Sequence, residues 1–269
     1  MKESVQRFLA RHRRHPLVRK LGNGFVSFAQ GYQNINYDHR TNGEKFVLES
    51  LARVYPEALI FDVGAHHGDW STMASEAVPR GSIHAFEVIP ATFAKLRQAC
   101  ARLPRVTLHP FGLSDHDGQL EFAVATGRDE LSSGVAGVHG DLHKFAFETV
   151  ACPVFAGHSF CRQESITQID FLKLDVEGLE PKILQGFLSM LDSRQIRMIQ
   201  FEYGQVNLQA RFFLGDFYAM LATRGMKLGK IYPNYVDFRD YSFIDDCLEG
   251  PNYLAVDSRE ERLISLLQG

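Results

Sequence analysis

From residue 45 onward, short apolar runs of strand length alternate with amphipathic stretches of helix length. That alternation permits few architectures: parallel strands joined by crossover helices, with helices on both faces of one sheet. The first strand spans Ala58 to Val63 and feeds a helix in which Trp70, Met73, Ala74, Ala77 and Val78 form one apolar stripe. A second strand, Ser82 to Glu87, precedes Pro90 in the first turn of a helix whose Phe93, Leu96, Cys100 and Leu103 share a face. A third lies near Val106 to Phe111. The fourth, IDFLKLDVEG, runs into a helix starting at Pro181 with Ile183, Leu184, Phe187, Leu188 and Leu191 inward, and the fifth, IRMIQFE, ends at Glu202. A helix from Ala210 to Arg224, with Phe213, Phe217 and Leu221 in the core, stops at Gly225 in a left-handed cap. Strands near Met226 to Ile231 and Tyr253 to Val256 close the sheet.

With 45% hydrophobic residues, 269 residues can bury the core of one domain with appendages. No apolar run approaches the roughly 18 residues a spanning helix needs, and the N-terminus lacks a secretory apolar segment, so a cytoplasmic location is expected. Cys100, Cys152, Cys161 and Cys247 form no Cys-x-x-Cys pair and read as reduced thiols. The net charge of −3 is uneven: residues 1 to 20 hold seven Lys or Arg against one Glu, leaving −9 for the remainder. Val5, Phe8, Leu9 and His12 recur at helical spacing among Arg7, Arg11, Arg13 and Arg14, an amphipathic basic helix ending near Pro16. It can pack on the body or a second subunit, or touch an anionic membrane. A body at −9 without a basic stripe argues against nucleic acid. The chain divides into an extension, residues 1–44, and a domain, residues 45–269.

Between strands three and four, about 55 residues from Gly112 to Thr167 hold two weaker strands, LEFAV and ETVACPVF, around ELSSGVAGVHG. A loop that long inside a compact domain is usually functional, and it is the expected substrate-binding insertion.

In an open parallel sheet, ligands bind outside the carboxyl ends of the strands. Here those ends gather Asp62, Glu87, Ser114, Asp115, Asp175, Glu177 and Glu202. Gly64 and Gly68 let the backbone after strand one turn tightly against a ligand. GAHHGD lacks the third glycine of a dinucleotide fingerprint, and Asp62 and Asp69 would repel a pyrophosphate. They suit a cationic amino group and sulfonium, while Glu87, 25 residues after Asp62, is placed for ribose hydroxyls. S-Adenosylmethionine has that inventory.

The segments FDVGAHHGDWS, HAFEVIP, LSDHDG, IDFLKLDVEGLEPKILQGF and GPNYLAV resemble the FkbM family of S-adenosylmethionine-dependent methyltransferases. The resemblance runs from YQNINYDHRTNGE to Val256. It departs at His66, where asparagine is common, and at His158, where aspartate is usual. It implies a Rossmann-like class I methyltransferase fold of the α/β class, with a seven-stranded, mostly parallel sheet and a reversed last strand. The implied activity is O-methylation of a sugar, glycan or polyketide-type hydroxyl. By the same resemblance, Asp62, Gly64, Ala65, His66 and Gly68 line the cofactor turn, Glu87 takes the ribose, and Ser114 or Asp115 flanks the adenine. Tyr37, Asn42 and Glu44 fold over the methionine end, and Asp175 and Glu177 face the reacting end.

A sugar hydroxyl needs a base as it attacks. Asp175 and Glu177 fall on one face if strand four continues that far; Lys173 shares the parity and would orient a carboxylate, and Glu202 would complete the cluster. No resident metal is assigned, and magnesium held by three or more carboxylates is the alternative. His109, His139, His143 and His158 are rival bases, and Tyr203, Tyr232, Tyr235, Phe238 and Tyr241 are a candidate sugar-stacking wall. A catalytically inactive nucleoside-binding module and an NAD-dependent oxidoreductase are the competing readings. A homo-oligomer is open.

Overall fold

The computed structural model describes residues 2–125, 128–133, 147–248 and 250–269. Two helices open the chain, α1 (Lys2–Arg11) and α2 (Pro16–Tyr32), followed by α3 (Glu44–Val54). Two strand–helix repeats, β1 (Leu59–Val63) with α4 (Asp69–Ala77) and β2 (Ser82–Phe86) with α5 (Pro90–Ala99), lead to β3 (Val106–His109). Then come β4 (Gly112–Ser114), β5 (Gly118–Ala125), β6 (Arg128–Ser133), β7 (Phe147–Ala156) and α6 (Gly157–Gln163). The chain re-enters the main sheet with β8 (Ile169–Leu174), α7 (Glu180–Gly186), α8 (Leu188–Asp192) and β9 (Ile196–Glu202). It ends with α9 (Val206–Ala210), α10 (Leu214–Ala222), β10 (Met226–Tyr232), β11 (Tyr235–Phe238), β12 (Asn252–Asp257) and α11 (Glu261–Gln268).

The main sheet has the order β11-β10-β12-β9-β8-β1-β2-β3. Pairing is parallel from β9 to β3, and β12 runs antiparallel to both β9 and β10. The chain thus has the class I methyltransferase arrangement with its reversed last strand. The sheet holds eight strands rather than the expected seven, because Tyr235–Phe238 folds back on β10 as an edge hairpin. Both faces are buried, as the unbroken apolar strands require. Phe61, Leu172, Ile199 and Ala255 meet the face covered by α6, α7, α8 and α10. Their neighbours Ile60, Phe171, Met198 and Leu254 meet α3, α4 and α11 on the other.

Several boundaries differ from the sequence expectation. The helix read over Ala210 to Arg224 is broken at Arg211, whose backbone is left-handed (φ +52°), giving α9 and α10. Phe213 is therefore the extended residue before α10 and 39% exposed, whereas Phe217 and Leu221 are fully buried. The helix read from Pro181 is two pieces, α7 and α8, and Leu188 is half-buried. The insertion forms a second sheet, β4-β7-β5-β6. Three of the four cysteines are buried and Cys247 is exposed, all of them free thiols. Among the described residues, no helix is long and apolar enough to cross a membrane.

A buried carboxylate fixes how the N-terminal segment joins the sheet. Glu44, first in α3, accepts hydrogen bonds from Asn42 Nδ2 (2.7 Å), Trp70 Nε1 (2.6 Å), Gln200 Nε2 (2.6 Å) and Asn252 Nδ2 (2.9 Å). Gly43 precedes it at φ +111°, where a β-carbon would lie 2.2 Å from the Tyr232 carbonyl oxygen. Glu44→Ala strands these donors in the interior, so urea unfolding should show a loss of about 3 kcal/mol or more; a loss below about 1 kcal/mol would mean the cluster is not what ties the segment down.

Candidate active site

Two cavities meet at the carboxyl ends of the parallel strands. The first, about 280 Å³, is lined by Gly64, His66, Glu87, Ile89, Thr92, Leu113, Phe122, Val176 and Leu179 among others. The second, about 400 Å³, is lined by Tyr37, His39, Glu44, Trp70, Glu202, Gln205 and Asn252 among others. Asp175 and Glu177 line both.

The first cavity is built on the turn after β1. Gly64 sits at φ +82°, and a β-carbon there would fall 1.9 Å from the Asp175 carbonyl oxygen. The amides of Gly64 and Ala65 donate to the Phe86 carbonyl at 3.1 and 2.9 Å, and the His66 amide donates to Glu87 Oε2 at 3.0 Å. Glu87 Oε1 accepts the Ile89 amide at 2.8 Å, so one carboxylate staples the two turns together. Burial pushes Glu87 up to about 7 despite those amides. Thr92 is buried in the same wall, and its hydroxyl finds no hydrogen-bond partner among the described residues. The His66 and His67 rings stack at 3.7 Å.

Several residues expected to line a cofactor site lie off the first cavity. Asp62 is fully buried beneath the turn, accepting from Ser71 Oγ at 2.6 Å and Lys173 Nζ at 3.1 Å. Ala65 and Gly68 shape the turn from behind, Gly68 at φ +88° against Leu96 and Cys100. The Ser114 hydroxyl is buried on Asp115, and Asp115 pairs with His116 at 2.6 Å; Gly112 and Leu113 take their place in the wall. Asn42 is buried in the Glu44 cluster, and Tyr37 and Glu44 line the second cavity. The described part of the insertion contributes Gly112, Leu113 and Phe122 to the first cavity and nothing to the second; much of the segment expected to bind substrate, from residue 134 to 146, lies outside the described residues.

Asp62, Lys173 and Gln200 lie in register across β1, β8 and β9 and so face the same way. The Lys173 ammonium, almost wholly buried, sits 3.1 Å from both Asp62 and Asp175 and 5.2 Å from the centroid of Trp70. Burial alone would lower its pKa; Asp175, Asp62 and Glu44 outweigh that and raise it, so it stays charged. Strand β8 ends at Leu174, so Asp175 and Glu177 do not share a strand face as expected. Asp175 turns its side chain, 46% exposed, into the cavities, and Glu177 sits in a left-handed turn at φ +52°. Burial would raise Asp175, but Lys173 and a hydrogen bond with Glu202 hold it below the usual range. Glu202 moves the other way: burial, then Asp175 and Glu177, raise it far enough that it carries the shared proton. Burial and the Asp175 charge push Glu177 up to about 7.

The rival bases lie elsewhere. His109 stacks on Phe86 and meets His84 at 3.1 Å, and burial with that neighbour pushes it down to about 4. His158 Nδ1 binds the Gly186 carbonyl at 2.9 Å and lines neither cavity. His139 and His143 fall outside the described residues. The expected aromatic wall stands away from both cavities: Tyr232 and Tyr235 stack on each other across the β10–β11 hairpin, Tyr203 and Tyr241 both bond Asp246, and neither these nor Phe238 lines either of the two. Trp70, read as core, is the aromatic wall of the second cavity together with Tyr37.

Glu180 was not legible as a site neighbour. It is fully buried at the start of α7, where Oε1 accepts the Val176 amide at 3.0 Å, and burial pushes it up to about 8. A carboxyl raised from its ordinary value binds a proton in the native state that the unfolded chain has lost, so its contribution to stability disappears as pH rises from about 4.5 to 8. Glu180→Gln should match the wild type in Tm near pH 4.5, exceed it progressively as pH rises to about 8 and keep a constant lead beyond that in thermal melts; a constant difference between pH 4.5 and 8 would show that Glu180 is ionised throughout.

The family model "Methyltransferase FkbM domain" matches residues 62–231. The chain is 23% identical over 162 residues to the 2-O-methyltransferase NoeI of Sinorhizobium fredii, covering 57% of this chain and 66% of that one. It is 24% identical over 221 residues to the hexuronic acid methyltransferase AglP of Haloferax volcanii, covering 81% of this chain and 86% of that one. Among solved structures, methyltransferase FkbM from Methylobacillus flagellatus aligns over 74% of this chain and 43% of its own length, with 13% identity and a TM-score of 0.45.

Proposed function

The chain belongs to the methyltransferase FkbM family, and we propose that it transfers a methyl group from S-adenosylmethionine to a hydroxyl of a neutral sugar or glycan. The observation that carries this reading is the meeting of two cavities at Asp175 and Glu177, one suited to the cofactor and the other to an acceptor. Family membership removes the oxidoreductase reading.

The first cavity fits the cofactor by its donor set. Glu87 offers carboxylate oxygens, the buried Thr92 hydroxyl finds no partner among the described residues, and Ile89, Leu113, Phe122 and Leu179 give apolar walls for a flat base. Asp175, held ionised by Lys173, offers the negative charge that a sulfonium end requires. When bound, S-adenosylmethionine would supply an electrophilic methyl group, its sulfonium–methyl bond breaking to leave the neutral thioether S-adenosylhomocysteine. In the second cavity Trp70 and Tyr37 offer apolar faces to a sugar ring, while Gln205 and Asn252 offer hydrogen bonds. Glu177, with a pKa near the working pH, accepts the acceptor's hydroxyl proton as the oxygen–carbon bond forms, and Glu202 keeps Asp175 in position. Magnesium is not required in this scheme, because Lys173 already compensates Asp175 and Glu202 is protonated, so a chelator should leave turnover unchanged.

The charge of the second cavity selects among acceptors. Glu44, Asp175 and Glu177 face it and, among the described residues, no Lys or Arg lines it, so a uronate carboxylate would be repelled. Neutral glycans should be methylated and hexuronate-containing ones should not; preference for the uronate would overturn this acceptor assignment. Glu87→Ala should abolish S-adenosylmethionine binding in calorimetry, and unchanged affinity would refute the cofactor placement. In wild type, kcat should rise with pH through about 7, since the base acts deprotonated. Glu177→Gln should lower kcat about 10²- to 10⁴-fold and flatten that rise while sparing cofactor affinity; a retained rise would move the base to another group.

A further inference from the structure

The N-terminal arm has no role in either cavity, and its surface is unlike the rest of the chain. Helix α2 buries no residue, and Leu17, Leu21, Phe25, Phe28 and Tyr32 form one stripe along it, each more than 60% exposed. Helix α1 adds a shorter stripe of Val5, Phe8 and Leu9, each more than 40% exposed. Arg7, Arg11, Arg13, Arg14, Arg19 and Lys20 gather on α1, α2 and the elbow between them, and no acidic residue occurs from Ser4 to Tyr37. We propose that α1 and α2 form a docking surface for an anionic lipid bilayer, lying in the interface with the apolar stripes inserted and the basic elbow on the headgroups.

Charge decides between the possible occupants. A symmetric pairing of two arms would bring like patches together, seven Lys or Arg against seven, with the single Glu3 in each arm to relieve them. Nucleic acid would satisfy the cations and leave the exposed phenylalanines in water. An anionic bilayer satisfies both features, which is the combination that amphipathic interfacial helices carry. Glycines at 22, 24 and 31 weaken a helix none of whose residues is buried, so its order in water is marginal and the surface completes it. The arm is also closely tied to the body: Asn34, two residues beyond α2, donates to the carbonyls of Asn42 and Ile231 at 2.7 and 3.0 Å. Tyr37, in the wall of the second cavity, follows three residues later, which sets the mouth of that cavity beside the docked surface.

Co-sedimentation of the full chain with phosphatidylcholine vesicles, and with vesicles that also contain phosphatidylglycerol, tests the proposal. Binding to the anionic vesicles alone is expected, reversed by high salt and accompanied by a gain in helical circular dichroism. The pairs Phe25→Ser with Phe28→Ser, and Arg13→Glu with Arg14→Glu, should each weaken it at least about tenfold without changing S-adenosylmethionine affinity. Equal binding to neutral vesicles, no vesicle binding, or wild-type binding by the phenylalanine pair would overturn the proposal. So would a salt-stable dimer that the phenylalanine pair dissolves, or binding to duplex DNA that exceeds vesicle binding. Cofactor affinity is read separately, so failure of the methyl-transfer assignment would show there and not in the vesicle assay.

Discussion

A lysine ammonium buried in the middle of a parallel sheet needs close negative charge, and Lys173 finds it in Asp62 on the neighbouring strand and Asp175 just past its own. Removing one member of such a set leaves an uncompensated interior charge, at a cost of about 3–5 kcal/mol. The set therefore locks β1 to β8 at the point where both cavities begin. It also orders the protonation of everything around it. With Asp175 held as the anion, the adjacent Glu202 cannot ionise cheaply and takes the shared proton, while Glu177 is pushed up to about 7. One buried cation thus produces a fixed anion, a proton-bearing partner and a carboxyl poised near neutrality within the same wall.

The same arrangement explains why Asp62 lies beneath the site. Its two oxygens are taken by Ser71 and Lys173, so its charge reaches the cavities only through the lysine. The second carboxylate hub, Glu44, works in parallel: it holds Trp70 and Asn252 in the wall of the second cavity and, with the buried Gln200, binds the N-terminal segment to one helix and two strands remote in sequence. Both hubs sit on the α3–α4 face of the sheet, which gives that face a polar top and an apolar base.

The order of the parallel strands was legible because apolar runs with crossover-length spacing have few alternatives, and the carboxylates were legible because polar residues at strand ends have nowhere else to go. Lys173 announced itself as a charge inside a buried run. Gln200 carried the same signal in IRMIQFE and would have exposed the Glu44 hub by the same reasoning. What could not be read was tertiary. Pairing of Tyr235–Phe238 with β10 depends on a turn whose aromatic flanks look equally like a ligand wall, and the break at Arg211 is a single left-handed residue inside an apolar pattern. Glu180 reads as an ordinary acidic first-turn residue, and only the closing of Val176 over it reveals that it is buried.

The division of labour between the two cavities bears on how an acceptor could change without loss of the cofactor site. The first cavity is walled by the turns after β1 and β2 and by Leu113 and Phe122 of the insertion, all braced by Glu87. The second draws on Tyr37, His39, Gln205 and Asn252, from segments that touch the first cavity nowhere, and joins it at Asp175 and Glu177. Substitutions at Tyr37, His39 or Gln205 alter the acceptor surface while leaving the Lys173 ion set and the Glu87 staple intact. On the proposed assignment, the positions that set acceptor choice lie in the short segments flanking the domain core, and the carboxyl pair at the junction is the part that must stay constant for the two cavities to act on one another.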